Sequence, residues 1–158
     1  MYISLNPLLN LGFILAAKES AIFPQNIWTT GEGQRIAVFS RGQWAIKEFA
    51  SKIIHQKGRR GIVFVPEYFC EISLTTLRQA SCPIYFYRIT PDFEPDIGHL
   101  HGLAKKHGTP DILLYVHYFG FPSRMHITQE WCEKNETILV EDAAHTIFPI
   151  PGIGESVN

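Results

Sequence analysis

T-I-L-V-E-D-A-A-H, residues 137–145, is the stretch on which the reading of this chain turns. Residues 138–141 have the length and apolarity of a short buried strand. Two carboxylates, Glu141 and Asp142, stand at its end, and two alanines and His145 follow. Small residues after a buried strand let another group come close to the backbone. In an open α/β sheet the carboxyl ends of the strands are where ligands bind, which makes Asp142 a candidate anchor. A buried acid there must be paired or hydrogen-bonded, because isolated burial of a carboxylate is very costly. A protonated ring nitrogen is a suitable partner, and at an effective dielectric near 20 such a pair at ~4 Å is worth roughly 4 kcal/mol before desolvation. A helix N-cap or an ion pair with an arginine is the plain structural alternative.

Working back from this strand, the same pattern recurs. Residues 36–40 (I-A-V-F-S), 62–65 (I-V-F-V), 83–89 (P-I-Y-F-Y-R-I) and 112–117 (I-L-L-Y-V-H) read as short strands. Between them lie helical patterns. Ala45, Ile46, Phe49, Ala50, Ile53 and Ile54 make one apolar stripe, ended by Gly58. A second helix is expected over 71–80. A third is capped by Asp96 and closed at Gly108, and a fourth covers 124–134 with Ser123 as a possible cap. Strand and helix in alternation predict an α/β fold, a mostly parallel sheet with helices on both faces. Residues 1–34 are broken by Pro7, Pro24, Gly31 and Gly33 and read as an N-terminal arm; residues 35–158 form the domain.

The totals fit one domain. The chain has 158 residues, 46% hydrophobic and 18% charged, with a net charge of −1. That balance gives no sequence-wide attraction to nucleic acid or to an anionic membrane. The apolar run at 8–17 is interrupted by Asn10 and Gly12, is too short to span a bilayer, and lacks a basic leader. Cys70, Cys82 and Cys132 show neither a disulfide framework nor metal spacing. A cytoplasmic location is expected.

Right-handed crossovers put all strand carboxyl ends on one edge. Four segments then become neighbours: Ser40-Arg41-Gly42-Gln43, residues 66–70, residues 117–120 and residues 142–145. Gly42 and Gln43 open a helix whose unpaired N–H groups would seat a phosphate, although a plain structural turn has the same pattern. Tyr68 and Phe69 could stack on a flat ring or simply pack the core. For His117 a satisfied core histidine is the preferred reading.

In this order, the four segments resemble the N-terminal part of the DegT/DnrJ/StrS family of sugar aminotransferases, pyridoxal 5′-phosphate (PLP) enzymes of the aspartate-aminotransferase fold type. The family motifs S-G-T-A-A-L, V-P-x-Y/x-T, V-H-x-x-G-x-P and E-D-A-A-Q/H face S-R-G-Q-W-A-I from Ser40, V-P-E-Y-F-C from Val65, V-H-Y-F-G-F-P from Val116 and E-D-A-A-H from Glu141. The resemblance implies an incomplete PLP-transferase large domain and PLP as cofactor. It places Asp142 on the pyridinium nitrogen, His145 beside the ring near its 3-hydroxyl, and Gly42 and Gln43 at the phosphate. Phe69 or Cys70 takes the ring-facing position. Gln43 and Trp44 depart from the family's threonine and small residue.

The family's Schiff-base lysine follows the E-D-A-A segment in an S-F/P-H-x-x-K context, with a C-terminal domain after it. Lys18, Lys47, Lys52, Lys57, Lys105, Lys106 and Lys134 do not stand in such a context. The expectation is a truncated family member that keeps part of the cofactor pocket, lacks that lysine and the C-terminal domain, and is not catalytic alone. The resemblance also implies nucleotide-sugar or polysaccharide biosynthesis and a homodimer. A complementing C-terminal polypeptide or self-association is expected, since an open sheet edge would otherwise stay exposed. Two rivals are a non-enzymatic ligand-binding or regulatory domain of the same fold, and a metal-dependent hydrolase using His117, Asp142 and His145.

Overall fold

The computed structural model of the chain describes residues 37, 39–57, 61–121, 124–146 and 153. The arm at 1–34, the stop at Gly58 and the cap Ser123 lie outside the described residues. The elements run α1 (Gly42–Lys57), β1 (Val63–Pro66), α2 (Glu71–Arg78), β2 (Ile84–Tyr87), α3 (Ile97–His107), β3 (Ile112–Val116), a single 3-10 turn (Tyr118–Gly120), α4 (Met125–Lys134) and β4 (Ile138–Asp142). The four strands form one sheet in the order β2-β1-β3-β4, every pair parallel. In the β3–β4 register Tyr115 stands opposite Glu141 and Val116 opposite Asp142.

Side chains alternate across the strands, and each face has its own core. On one face Ala45, Ile46 and Ala50 of α1 and Leu74 and Leu77 of α2 pack on Val63, Val65, Ile112, Leu114 and Val140. On the other, Leu100 of α3 and Met125, Trp131 and Cys132 of α4 pack on Phe64, Tyr87, Leu113, Tyr115 and Leu139. Helices thus cover both faces, as the alternating pattern predicts.

The strand expected at 36–40 is not found. Residues 37, 39 and 40 are in no strand; Phe39 is half-buried against the α1/α2 core instead, and Ser40 and Arg41 make the bend that opens α1. A short apolar run reads the same whether it pairs in a sheet or only packs a side chain against one.

Two local devices fix the helices that frame the edge. Asp96 caps α3, its Oδ1 accepting from the His99 N–H at 2.9 Å, and its Oδ2 lies 3.3 Å from the Arg88 guanidinium. Gly108, at φ 96°, ends the helix in a conformation that favours glycine. Asp96→Ala is expected to cost about 1 kcal/mol, lowering the melting temperature by about 2–4 °C, while Asp96→Asn keeps most of the stability. Equal melting of wild type and Asp96→Ala would refute the cap's contribution.

At the other end, buried Asp111 accepts from Lys57 Nζ at 2.7 Å and from the Ile62 N–H at 2.8 Å. Asp111 immediately precedes β3, so the C-terminus of α1 is tied to the amino edge of the sheet. A helix of 16 residues is about 24 Å long at 1.5 Å per residue. Packed along the strands, α1 therefore starts at the carboxyl edge.

Candidate functional site

Alternation along β4 separates the two adjacent acids. Leu139 belongs to the α3/α4 core and Val140 to the α1/α2 core, so Glu141 falls on the α3/α4 side and Asp142 on the α1/α2 side. His117 follows β3 on the same side as Glu141. It is fully buried, and its Nε2 lies 2.8 Å from Glu141 Oε2. The satisfied-histidine reading of His117 is thus correct, and its partner is Glu141, which the reading of the sequence did not single out. Pairing β3 with β4 in register would have revealed it.

Asp142 is 8% exposed. Its Oδ1 accepts from the Ala144 N–H at 3.0 Å, and no cation is paired with it among the described residues. Burial raises its pKa above the ordinary carboxylate range, against the Ala144 N–H and the charges of His145 and His117, which lower it. Among the described residues no arginine meets Asp142 and no helix starts behind it.

Three of the four segments meet directly. The His117 N–H donates to the Asp142 carbonyl at 3.0 Å. The Phe119 N–H donates to His145 Nδ1 at 3.1 Å. The Tyr118 hydroxyl donates to the Tyr68 carbonyl, and the two rings stack at 5.6 Å. Burial, and then the Asp142 charge, push the Tyr118 phenol up. The fourth segment reaches this edge through the direction of α1. Gly42 is buried, Gln43 half-buried, and the first turn of α1 holds no acid, which leaves its N–H groups suited to an anion. Phe69 is half-buried against the α1/α2 core, while Cys70 is exposed at the N-cap of α2.

The turn after β3 carries strain that the sequence did not advertise. Phe119 has φ 56° and ψ 12°; Phe93, in edge contact with it at 5.3 Å, has φ 62°. Each bulky residue held there costs about 1–3 kcal/mol. Tyr68, Phe93, Phe119 and Phe121 are also exposed at this edge.

Lys18 lies outside the described residues, and Lys47, Lys57, Lys105, Lys106 and Lys134 lie away from this edge. Lys47 donates to Gln79 Oε1 at 3.0 Å and stands 5.5 Å over the Trp44 ring. Lys57 is bound to Asp111, Lys105 and Lys106 are in the last turn of α3, and Lys134 ends α4 near Glu130. Among the described residues no group of three or more His, Cys, Asp or Glu side chains is arranged to hold a metal. The metal-dependent reading fails because His117 and Asp142 lie on opposite faces of the sheet. His99 and His101 are engaged separately, by the Arg88 N–H and the Trp131 indole. Among the described residues no helix is long and apolar enough to cross a membrane.

An open parallel sheet with helices on both faces defines the chain as an α/β protein. Comparison with solved structures specifies it further. The chain is similar to a candidate PLP-dependent aminotransferase from Bacillus cereus ATCC 10987, with a TM-score of 0.53 and 18% identity over 68% of this chain and 30% of that one. It is similar to a DegT DnrJ EryC1 StrS aminotransferase from Brucella abortus, with a TM-score of 0.51 and 15% identity over 90% of this chain and 45% of that one. It is also similar to Helicobacter pylori PseC, an aminotransferase involved in the biosynthesis of pseudoaminic acid, with a TM-score of 0.51 and 13% identity over 92% and 41%. No protein-family model and no curated protein matches the chain. The fold is therefore that of the PLP-dependent aminotransferases, in part: the chain spans less than half the length of each of these structures.

The residues present fit that cofactor. PLP carries a ring nitrogen that bears a proton when a carboxylate faces it, and a phosphate. Asp142 is a buried carboxylate with one oxygen satisfied by backbone and no cation paired with it among the described residues, and α1 offers an acid-free N-terminus on the same face.

Proposed function

We propose that this chain forms the ring-nitrogen and phosphate side of a PLP site of the sugar-aminotransferase kind. The observation that carries the reading is Asp142, buried on the α1/α2 face at the end of β4 with Ala144 as its hydrogen-bond donor. Bound PLP supplies an electron sink through its protonated ring nitrogen. Asp142 would keep that nitrogen protonated, the first turn of α1 at Gly42 and Gln43 would hold the phosphate, and His145 would stand by the ring's 3-oxygen. Phe69 or Cys70 would take the ring-facing position, and the exposure of Cys70 favours the thiol as the one nearer a ligand.

The lysine that must hold PLP covalently and move protons is supplied, on this reading, by polypeptide other than these 158 residues. The substrate side would come from the same source, with a nucleotide-linked sugar as the acceptor class. The exposed rings at Tyr68, Phe93, Phe119 and Phe121 support a covering partner, either a second copy or a complementing chain, at this edge. The free thiols of Cys70 and Cys132 suit a reducing compartment, which favours the cytoplasm on this reading.

The test is equilibrium binding of PLP to the purified chain, followed by its absorbance. Binding that Asp142→Ala weakens supports the site, and a folded chain that binds no PLP refutes it. A melting shift with PLP but no transamination after adding a lysine-bearing partner chain would favour the non-enzymatic ligand-binding reading.

A further inference from the structure

His117 and the turn that follows it, Tyr118–Gly120, lie against the end of β4 and the chain after it. The His117 N–H bonds the Asp142 carbonyl, the Phe119 N–H bonds His145 Nδ1 at 3.1 Å, and Gly120 lies so close that an added Cβ would stand 3.0 Å from the His145 carbonyl oxygen. Gly120 has φ 71°, so two successive residues are left-handed. With Phe119 in that conformation its amide faces the imidazole, and the Phe119 ring stacks on the same imidazole at 5.8 Å and 29°. Strain in a bulky residue persists where the surroundings over-determine it. Here what it delivers is a single N–H.

The chemical consequence follows from the two ring nitrogens. A neutral imidazole that accepts at Nδ1 carries its proton on Nε2. His145 is exposed, and among the described residues its Nε2 has no protein partner. We propose that Phe119 is a positioning residue: its backbone N–H fixes the His145 tautomer so that Nε2 is a preset donor to an anionic oxygen of the ligand beside Asp142. The identity of that ligand rests on the PLP reading. Asp142 accepts from a protonated ring nitrogen and His145 donates to an oxygen, so the two together select a 3-hydroxypyridine in its zwitterionic form, N–H⁺ and O⁻. The ring of Phe119 is secondary, and the amide carries the effect.

The first experiment needs no ligand. In the 15N-labelled full chain at pH 8, histidine 1H–15N spectra should show His145 with Nδ1 unprotonated and Nε2 protonated. A scalar coupling across the hydrogen bond should link the Phe119 amide nitrogen to His145 Nδ1. A proton on Nδ1, or the absence of that coupling in a well-resolved spectrum, overturns the proposal. Phe119→Gly, which keeps the amide and tolerates φ 56°, should retain both signatures; their loss would assign the effect to the ring and overturn the role of the amide.

The second experiment uses PLP itself. His145→Asn keeps an acceptor near the position of Nδ1 but has no Nε2 donor. It should weaken PLP about tenfold, equivalent to roughly 1.4 kcal/mol, and move the absorbance titration of the bound 3-hydroxyl to higher pH. An unchanged titration in His145→Asn overturns the donor role. Failure of wild type to bind PLP, with the coupling present, refutes the PLP reading and the donor role toward it, and leaves the tautomer assignment established.

Discussion

Replacing His117 with alanine lowers the unfolding free energy by about 3–5 kcal/mol, the usual cost of removing one member of a buried ion or charge-assisted pair. At about 2–4 °C per kcal/mol for a chain of this size, the melting temperature falls by roughly 10 °C. The reason lies in the location of the pair. His117 and Glu141 belong to different strands, are 0% and 4% exposed, and touch at 2.8 Å. Alanine at 117 takes away that partner and leaves a void beside the Tyr115 ring, which meets the imidazole edge-on at 5.1 Å. Glu141→Ala should cost a similar amount, and Glu141→Gln less, because an amide oxygen can still take the imidazole proton. The double variant His117→Ala/Glu141→Ala should lose less than the sum of the singles by at least about 0.5 kcal/mol. Strict additivity in urea unfolding would show that the two do not act as a pair.

The second large effect has opposite signs for binding and for stability. Asp142→Asn should weaken PLP about 30-fold or more, since truncating one partner of a buried charge pair costs about 2–5 kcal/mol. The ligand-free variant should nevertheless melt above wild type at neutral pH. Burial raises the Asp142 pKa above its ordinary value, so the folded chain holds that proton to higher pH than the unfolded chain does. Through that interval the unfolded state binds fewer protons, and stability falls as pH rises. The ionised carboxylate is thus a cost at neutral pH, present above its folded pKa and relieved on acidification. Asparagine stays neutral and can keep the Ala144 hydrogen bond. Its advantage in melting temperature should shrink as the pH falls through the acidic range and vanish once Asp142 is protonated in both states. A variant that melts below wild type at pH 7, or that binds PLP as well, would contradict the account. If Asp142 serves the proposed site, its ionised form is where stability and binding are in tension.

Much of this could be read from the sequence because the signals were periodic. The α1 stripe, the Asp96 cap, the Gly108 stop and the strands around Val63, Ile112 and Leu139 all rest on side-chain spacing that burial enforces. The run at 36–40 misled for the same reason: Phe39 is apolar because it packs on a core, and nothing local distinguishes that from pairing. At the site, the position of Asp142 and the meeting of the 66–70, 117–120 and 142–145 segments follow from strand–helix alternation alone. The left-handed turn at Phe119 does not. Phenylalanine is a poor residue for φ 56°, and only the glycine after it hints at the turn. The His117–Glu141 pair was hidden for another reason, since it depends on which strands are neighbours and in what register.

The division of Glu141 and Asp142 between the two faces of β4 has a consequence for how the pair titrates. Neighbouring carboxylates that share one side of a site behave as a dyad, passing a single proton between them and ionising in two linked steps. Here a layer of backbone stands between them. Asp142 responds to its burial, to the Ala144 amide and to His145 and His117, while Glu141 answers to the imidazole across the strand. Two acids consecutive in the chain thus do not share a site, and what links them is one imidazole: His117 touches Glu141 directly and lowers the Asp142 pKa from the far side of the strand.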